Sequence, residues 1–162
     1  MRVRPASFPD DAAAVAAIII PVIRAGETYA LDRDLTEADA LAVWFAPDRE
    51  VFVAEDDDGA VVGTFFLRPN RPGGGSHVAN CGFMTAAHAT GRGVARRMFE
   101  HALERARERG FRAIQYNFVV SANERAVKLW KSVGFDVVGR LPGAFAHPTL
   151  GFVDVLVMFR AI

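Results

Sequence analysis

Gly91-Arg92-Gly93-Val94-Ala95-Arg96 joins two glycines to the start of a strongly periodic segment. Glycine lets the backbone turn tightly and pass close to a bulky ligand. A helix that starts here presents unpaired amides and the positive end of its dipole at the turn. That combination holds phosphate groups. The periodicity supports the helix: Ala95, Met98, Phe99, Ala102, Leu103 and Ala106 share one face, while Arg96, Arg97, Glu100, Glu104 and Arg105 lie outside it. Gly110 stands where a left-handed stop belongs.

Two phosphate-binding architectures are excluded. A P-loop ends in Gly-Lys-Ser or Gly-Lys-Thr, and Val94-Ala95 occupies those places. A dinucleotide fingerprint needs a third glycine after the first strand. Arg96 stands there, and the segment falls mid-chain after three predicted strands.

Two asparagines form a second chemical feature. Asn80 and Asn117 lie in predicted strands, where asparagine is a poor fit. Edge or bulge hydrogen bonding explains such residues. So does a role in gripping a carboxylate or positioning an amine where strands part. The histidines His77, His88, His101 and His147 are scattered, and no His–Asp or His–Glu pair is readable; His101 reads as a solvated helix residue.

The elements that must position these residues follow from pattern. Val3 to Pro5 reads as a short strand, and Ser7 to Asp11 as the capped start of a helix reaching about Arg24. Thr36 caps a second helix to about Phe45. Glu50 to Glu55 and Ala60 to Arg68 read as strands around an Asp57-Asp58-Gly59 turn. His77 to Thr85, Phe111 to Val119, Val137 to Arg140 and Val153 to Arg160 are further strands. Leu141 to Phe152 reads as a long loop able to close a small pocket.

The order of these features resembles the GNAT superfamily of acyl-CoA-dependent N-acetyltransferases. Gly91 to Ala95 is similar to that family's pyrophosphate motif, (Gln/Arg)-x-x-Gly-x-(Gly/Ala). Asn123-Glu124-Arg125-Ala126 through Leu129-Trp130 to Gly134-Phe135 is similar to its Asn-x-x-Ala-x-x-Leu-Tyr-x-x-x-Gly-Phe signature. The chain departs at His88, where Gln or Arg is usual, at Thr90, where Arg is common, and at Trp130, where Tyr is usual. That Tyr often protonates the leaving thiolate. An indole N–H donates a hydrogen bond but keeps its proton.

The resemblance implies an α+β fold of α/β/α layers: one domain over residues 1–162, with a mixed, mostly antiparallel sheet of about seven strands, about four helices and two central strands splayed apart. It implies acetyl-CoA as co-substrate, no metal, and direct attack by an amine without an acyl-enzyme, so Cys81 is not the expected nucleophile. The backbone of Phe83, Met84 and Thr85 would hold the thioester arm, with Met84 among the catalytic groups. Gly91, Arg92, Gly93, Val94, Ala95 and Arg96 would hold the pyrophosphate, joined on the cofactor side by Asn123 and Trp130. Arg92, Arg96 or Arg97 would reach the 3′-phosphate.

Asn80-Cys81-Gly82-Phe83-Met84, Tyr116-Asn117-Phe118-Val119-Val120 and Gly139-Arg140-Leu141-Pro142-Gly143 also resemble the fungal and bacterial N-acetyltransferases that act on proline analogues such as azetidine-2-carboxylate. This implies a small-molecule amine acceptor, with Asn80, Phe83 and Asn117 binding it and Asn80 and Asn117 catalytic. Asn80 and Phe83 share one ligand only if a bulge lies between them near Cys81-Gly82, because strand side chains alternate faces. Glu27 and Asp32 fall in a loop that lines the acceptor site in many relatives. Two other readings are a protein N-terminal or lysine acetyltransferase and a non-catalytic CoA-binding module.

Composition bounds the partners. The 19 basic and 19 acidic residues cancel, so bulk charge points to neither nucleic acid nor membrane. The single cysteine excludes an internal disulfide, and the expected compartment is the cytoplasm. Ile18, Ile19, Ile20 and Trp44 read as core, or as the surface of a homodimer.

Overall fold

The computed structural model describes residues 1–162. Strands β1 (Arg2–Pro5), β2 (Glu50–Glu55), β3 (Val61–Pro69), β4 (Val78–Thr85), β5 (Ala113–Val120), β6 (Asp136–His147) and β7 (Gly151–Ala161) form one sheet in the order β1-β2-β3-β4-β5-β7-β6. Only β4 and β5 pair in parallel; the other neighbours are antiparallel. Helices α1 (Ala12–Ala25) and α2 (Glu37–Trp44) cover one face. Helices α3 (Val94–Glu108) and α4 (Glu124–Ser132) cover the other. The layers match the α/β/α expectation.

Strand alternation assigns the faces. On β3, Thr64 accepts a hydrogen bond from the Trp44 indole at 3.0 Å, and Phe66 packs edge-on against the same ring. Even-numbered β3 residues therefore face α1 and α2. Gly63 and Phe65 face α3: a Cβ on Gly63 would lie 2.8 Å from Val94, and Phe65 meets His101 of α3. His101 is thus an aromatic packing partner of Phe52 and Phe65, where a solvated helix position was expected. Its neighbours across the sheet are non-local, so helical periodicity alone could not show them.

The first helix starts later than its Ser-Phe-Pro-Asp opening suggests. Asp11 is the N-cap, and its carboxylate accepts the Ser7 amide at 2.7 Å and both Arg4 terminal nitrogens at 2.7 and 2.8 Å. Arg4 also donates to Glu55 at 2.6 Å, so one guanidinium ties β1, β2 and the start of α1 together. Thr36 does cap α2, accepting the Asp39 amide at 3.1 Å. Ile18, Ile19 and Trp44 are buried in the core, and Ile20 packs half-buried against it.

The expected Leu141 to Phe152 loop is instead a β-hairpin. β6 and β7 pair to His147–Gly151, and a register shift between Leu141 and Phe145 absorbs Pro142-Gly143-Ala144. Phe145 is buried, whereas Leu150 and Phe152 at the hairpin end are 61% and 81% exposed. Both side chains project to solvent and line no part of the cleft described below.

Gly82 sits in regular strand. A Cβ there would lie 2.5 Å from Phe66 Cε1. The Phe66 ring is fixed between the Trp44 edge at 5.1 Å and the Arg49 guanidinium at 4.1 Å. Close approach of a ring, and no bulge, is the reason for glycine.

Two outcomes test this packing. Gly82→Ala should cost about 1–3 kcal/mol, because the pinned ring must move; an unchanged denaturant midpoint would show that it yields freely. The Arg4 hydrogen bonds hold the Asp11 carboxyl below its usual range despite partial desolvation. A lowered folded value means that its stabilisation is complete above the ordinary carboxylate range and fades as pH falls through the folded value. Asp11→Asn should therefore lose about 2 kcal/mol at neutral pH. The gap to the parent should close in acid, read from denaturant melts across a pH series.

Candidate active site

The site is built where two parallel strands stop pairing. β4 and β5 are in register only at Val78–Ala113 and Ala79–Ile114. Beyond that they part, and a register shift between Tyr116 and Val119 bends β5 away while it stays on β7. The sheet irregularity expected in β4 lies in β5. The other edge of β4 runs along β3 unbroken from Ala79 to Thr85.

That regularity fixes which backbone groups are free. The Asn70 amide donates to Val78 at 2.7 Å, and the Ala86 amide donates to Val62 at 2.9 Å. Antiparallel alternation between these two anchors turns the N–H and C=O of Asn80, Gly82 and Met84 toward β3. Those of Cys81, Phe83 and Thr85 face the opening. This corrects the role expected of Met84: its amide is engaged with β3 and its side chain is buried. The Phe83 carbonyl accepts the Tyr29 hydroxyl at 2.9 Å, which pins the α1–α2 loop to the free edge and leaves the Phe83 amide unused.

The opening is a cleft of about 720 Å³, within the range of small-ligand sites. On its α1/α2 side, Asn80 Nδ2 donates to the Gln115 carbonyl at 2.9 Å, bridging the strands just past their last paired residues. Gln115 Nε2 donates to Asn117 Oδ1 at 2.9 Å, and Asn117 Nδ2 donates to Asn70 Oδ1 at 2.6 Å. Arg68 Nε donates to Asn80 Oδ1 at 3.4 Å while its Nη1 meets Asp48 at 3.1 Å. Each asparagine amide keeps a second N–H and a second lone pair for a ligand.

Asn80 and Asn117 both line the cleft and are linked through Gln115, but Phe83 does not join them. With β4 regular through Gly82, Phe83 projects to the opposite face. It stacks on Phe65 at 5.3 Å and packs against Trp130 at 5.2 Å. The acceptor trio is therefore corrected to a pair, and the Phe83 ring belongs to the α3/α4 side.

On that side Trp130 is buried against Phe83, Tyr116 and Phe99, and it lines the cleft. Asn123 also lines it, with its side-chain oxygen committed to the Ala126 amide at 3.3 Å as the N-cap of α4. Burial pushes the Cys81 thiol well up, which keeps it protonated and unfit as a nucleophile. The same cause holds the Tyr29 and Tyr116 phenols neutral.

Past the end of β4, Gly91 and Gly93 take left-handed φ values of 83° and 81°. Gly93 is the N-cap of α3 and supplies no side-chain partner. The amides of Gly91, Gly93, Val94, Ala95 and Arg96 make no hydrogen bond within the chain. Gly63 lets the first turn of α3 settle on β3, which aims these amides. Unpaired amides at a helix N-terminus fit a pyrophosphate. Arg96 is held by Ser132 at 2.8 Å and Arg97 by Glu100 at 3.4 Å; Arg92 is exposed.

Glu27 lines the cleft but Asp32 does not. Sequence reading missed Tyr29, Arg68, Asn70 and Gln115. Only Asn70, an asparagine at a strand end, carried any local signal; the others act through partners 12 to 54 residues away.

The profile of the acetyltransferase (GNAT) family matches residues 21–135. The solved GCN5-related N-acetyltransferase from Kribbella flavida superposes with a TM-score of 0.94 at 46% identity, covering 99% of this chain and 97% of that one. A phosphinothricin acetyltransferase from Sinorhizobium meliloti, solved in complex with acetyl-CoA, shares the fold with a TM-score of 0.85 at 19% identity, over 99% and 88% of the two chains. The N-acetyltransferase aca1 of Schizosaccharomyces pombe is 26% identical over 137 residues, 75% of this chain and 66% of that protein's length. No helix is long and apolar enough to cross a membrane. A splayed parallel pair, a free strand edge and a helix-end amide turn, on a chain matched by the family profile over most of its length, place this protein in the GNAT family of acetyltransferases.

Proposed function

We propose that this chain transfers an acetyl group from acetyl-CoA to the amine of a small molecule, an amino acid or a proline analogue such as azetidine-2-carboxylate. The observation that carries the acceptor reading is that the Asn80 and Asn117 amides, linked through Gln115, both line the strand opening with the Arg68 guanidinium beside Asn80. A cation with free donors and two half-used amides suits a carboxylate and a neighbouring amine.

Acetyl-CoA supplies the activated acyl group as a thioester. The chain does the rest. The amides of Gly91, Gly93, Val94, Ala95 and Arg96 hold the pyrophosphate, and the free N–H and C=O groups of Thr85 and Cys81 pair with the pantetheine arm. The Phe83 amide is the free donor positioned for the thioester oxygen, in place of Met84. Asn80 and Asn117 orient the amine, and its proton passes to water in the open cleft.

One observation favours a second reading, transfer to a polypeptide N-terminus or lysine. The β6–β7 hairpin leaves the cleft open, which admits a chain as well as a small molecule.

Release of free thiol from acetyl-CoA across a panel of amino acids, azetidine-2-carboxylate and peptides separates the readings. Turnover should centre on small secondary or primary amino acids. Asn117→Ala should lower kcat/KM by about 10- to 100-fold, the worth of hydrogen bonds to charged groups. Turnover confined to peptides would replace the acceptor. Tight CoA binding with no turnover of any amine would leave a CoA-binding module.

A further inference from the structure

Arg49 is a cation without an adequate partner. Its side chain is only 15% exposed, and its Nε is enclosed with no hydrogen-bond partner. Asp48, the one carboxylate within ion-pair reach, stands 3.9 Å from that nitrogen. The guanidinium lies over the Phe66 ring at 4.1 Å, on the α1/α2 side of the sheet. Burial first, and then the Arg68 charge, push its pKa below the ordinary value. A partly buried cation beside another cation is destabilising unless an anion meets it.

The strand register shows why the two cations meet. Glu50 pairs with Leu67, and Arg68 pairs with Asn80. One step further along the same antiparallel register sets Arg49 opposite Arg68, where like charges repel. Arg68 Nη1 meets Asp48 at 3.1 Å, and its Nε points the other way, to Asn80 Oδ1 at 3.4 Å. Two guanidiniums therefore share one carboxylate, and that carboxylate is 53% exposed. One positive charge is left over, and Arg68 brings it to the wall of the cleft. Arg125 and Glu27 are the other charged residues lining the cleft, and their charges cancel.

We infer that Arg49 and Arg68 form a cationic subsite that restricts the acceptor to amines carrying a free carboxylate. Arg68 is the binding residue. Arg49 is a positioning residue: it does not line the cleft, but its charge turns Arg68 toward Asn80 and leaves Asp48 unable to neutralise the pair. This rests on the small-acceptor reading above and narrows it. A free amino acid supplies the missing anion beside its amine. A carboxamide, a peptide N-terminus or a lysine side chain within a polypeptide does not.

Calorimetry on the CoA complex tests this with matched pairs: azetidine-2-carboxylate and proline, each against its carboxamide. In the parent the carboxylate should bind about tenfold tighter or better, and Arg68→Gln should weaken it by about 10- to 100-fold while leaving the carboxamide within about twofold. Arg49→Met keeps the stem over Phe66 and removes the charge. It should weaken the carboxylate alone, by about 3- to 10-fold, whereas Arg49→Lys should stay near the parent. Asp48→Asn removes the competing anion and should tighten the carboxylate by about 2- to 5-fold. Equal binding of the two members of each pair, or binding of neither, overturns the inference. So does an Arg49→Met effect of equal size on both members, which marks a structural role. Thiol release from acetyl-CoA separates the two readings. Carboxylate-selective binding without release leaves the subsite standing and removes the transfer to small amines. Release as fast with carboxamides as with carboxylates keeps the transfer and removes the subsite.

Discussion

β4 and β5 share only the start of a parallel ladder, and the free backbone groups left by their separation are what every other part of the site serves. A strand edge inside a protein is costly unless something pairs with it. Here the edge of Cys81, Phe83 and Thr85 is kept open from both sides. β3 holds β4 straight, and β7 carries β5 away after a register shift. The consequence is a ready-made ladder partner for an amide-bearing ligand. The helix-end amides of α3 lie just past the end of the same strand.

The two faces of the sheet divide the chemistry. Aromatic rings pack the α3/α4 side, where Phe83, Trp130, Tyr116 and Phe135 give a dry wall with few polar atoms. Hydrogen-bonded amides hold the α1/α2 side, where Asn80 and Asn117 line the opening and Gln115 and Asn70 tie them to neighbouring backbone and side chains. A thioester suits the first environment and a zwitterionic amine the second. The strand opening is the one place where they meet. The price in stability is local: an orphaned phenol, a strand edge without a partner, and a glycine beneath a fixed ring.

The cofactor half of this arrangement was legible in the sequence because its signals are local. Periodicity marked α3, two glycines marked its turn, and Gly110 marked its end. The acceptor half was only partly legible. Asn80 and Asn117 stood out as poor strand residues, but their faces depended on whether β4 bulges. Gly82 admits two explanations, and choosing between them needs Phe66, which reaches it from the neighbouring strand. The same uncertainty of phase misplaced Met84, since hydrogen-bond direction is set by the partner strand and not by residue type. Pro142-Gly143 read as loop because a bulged hairpin and a loop share composition. Arg68 and Tyr29 left no trace, as a charged strand end and a loop tyrosine are ordinary until the fold brings them to the opening.

The central claim is that an acyl-CoA pairs with the free edge of β4 and the amide turn of α3. Residue-resolved amide hydrogen exchange, with and without saturating CoA, tests it directly. Binding should protect the amides of Cys81, Phe83, Thr85, Gly91, Gly93, Val94, Ala95 and Arg96. Those of Gly82 and Met84, already paired with β3, should change little. Protection that ignores this alternation, or CoA binding that leaves the amide turn exchanging as before, would contradict it.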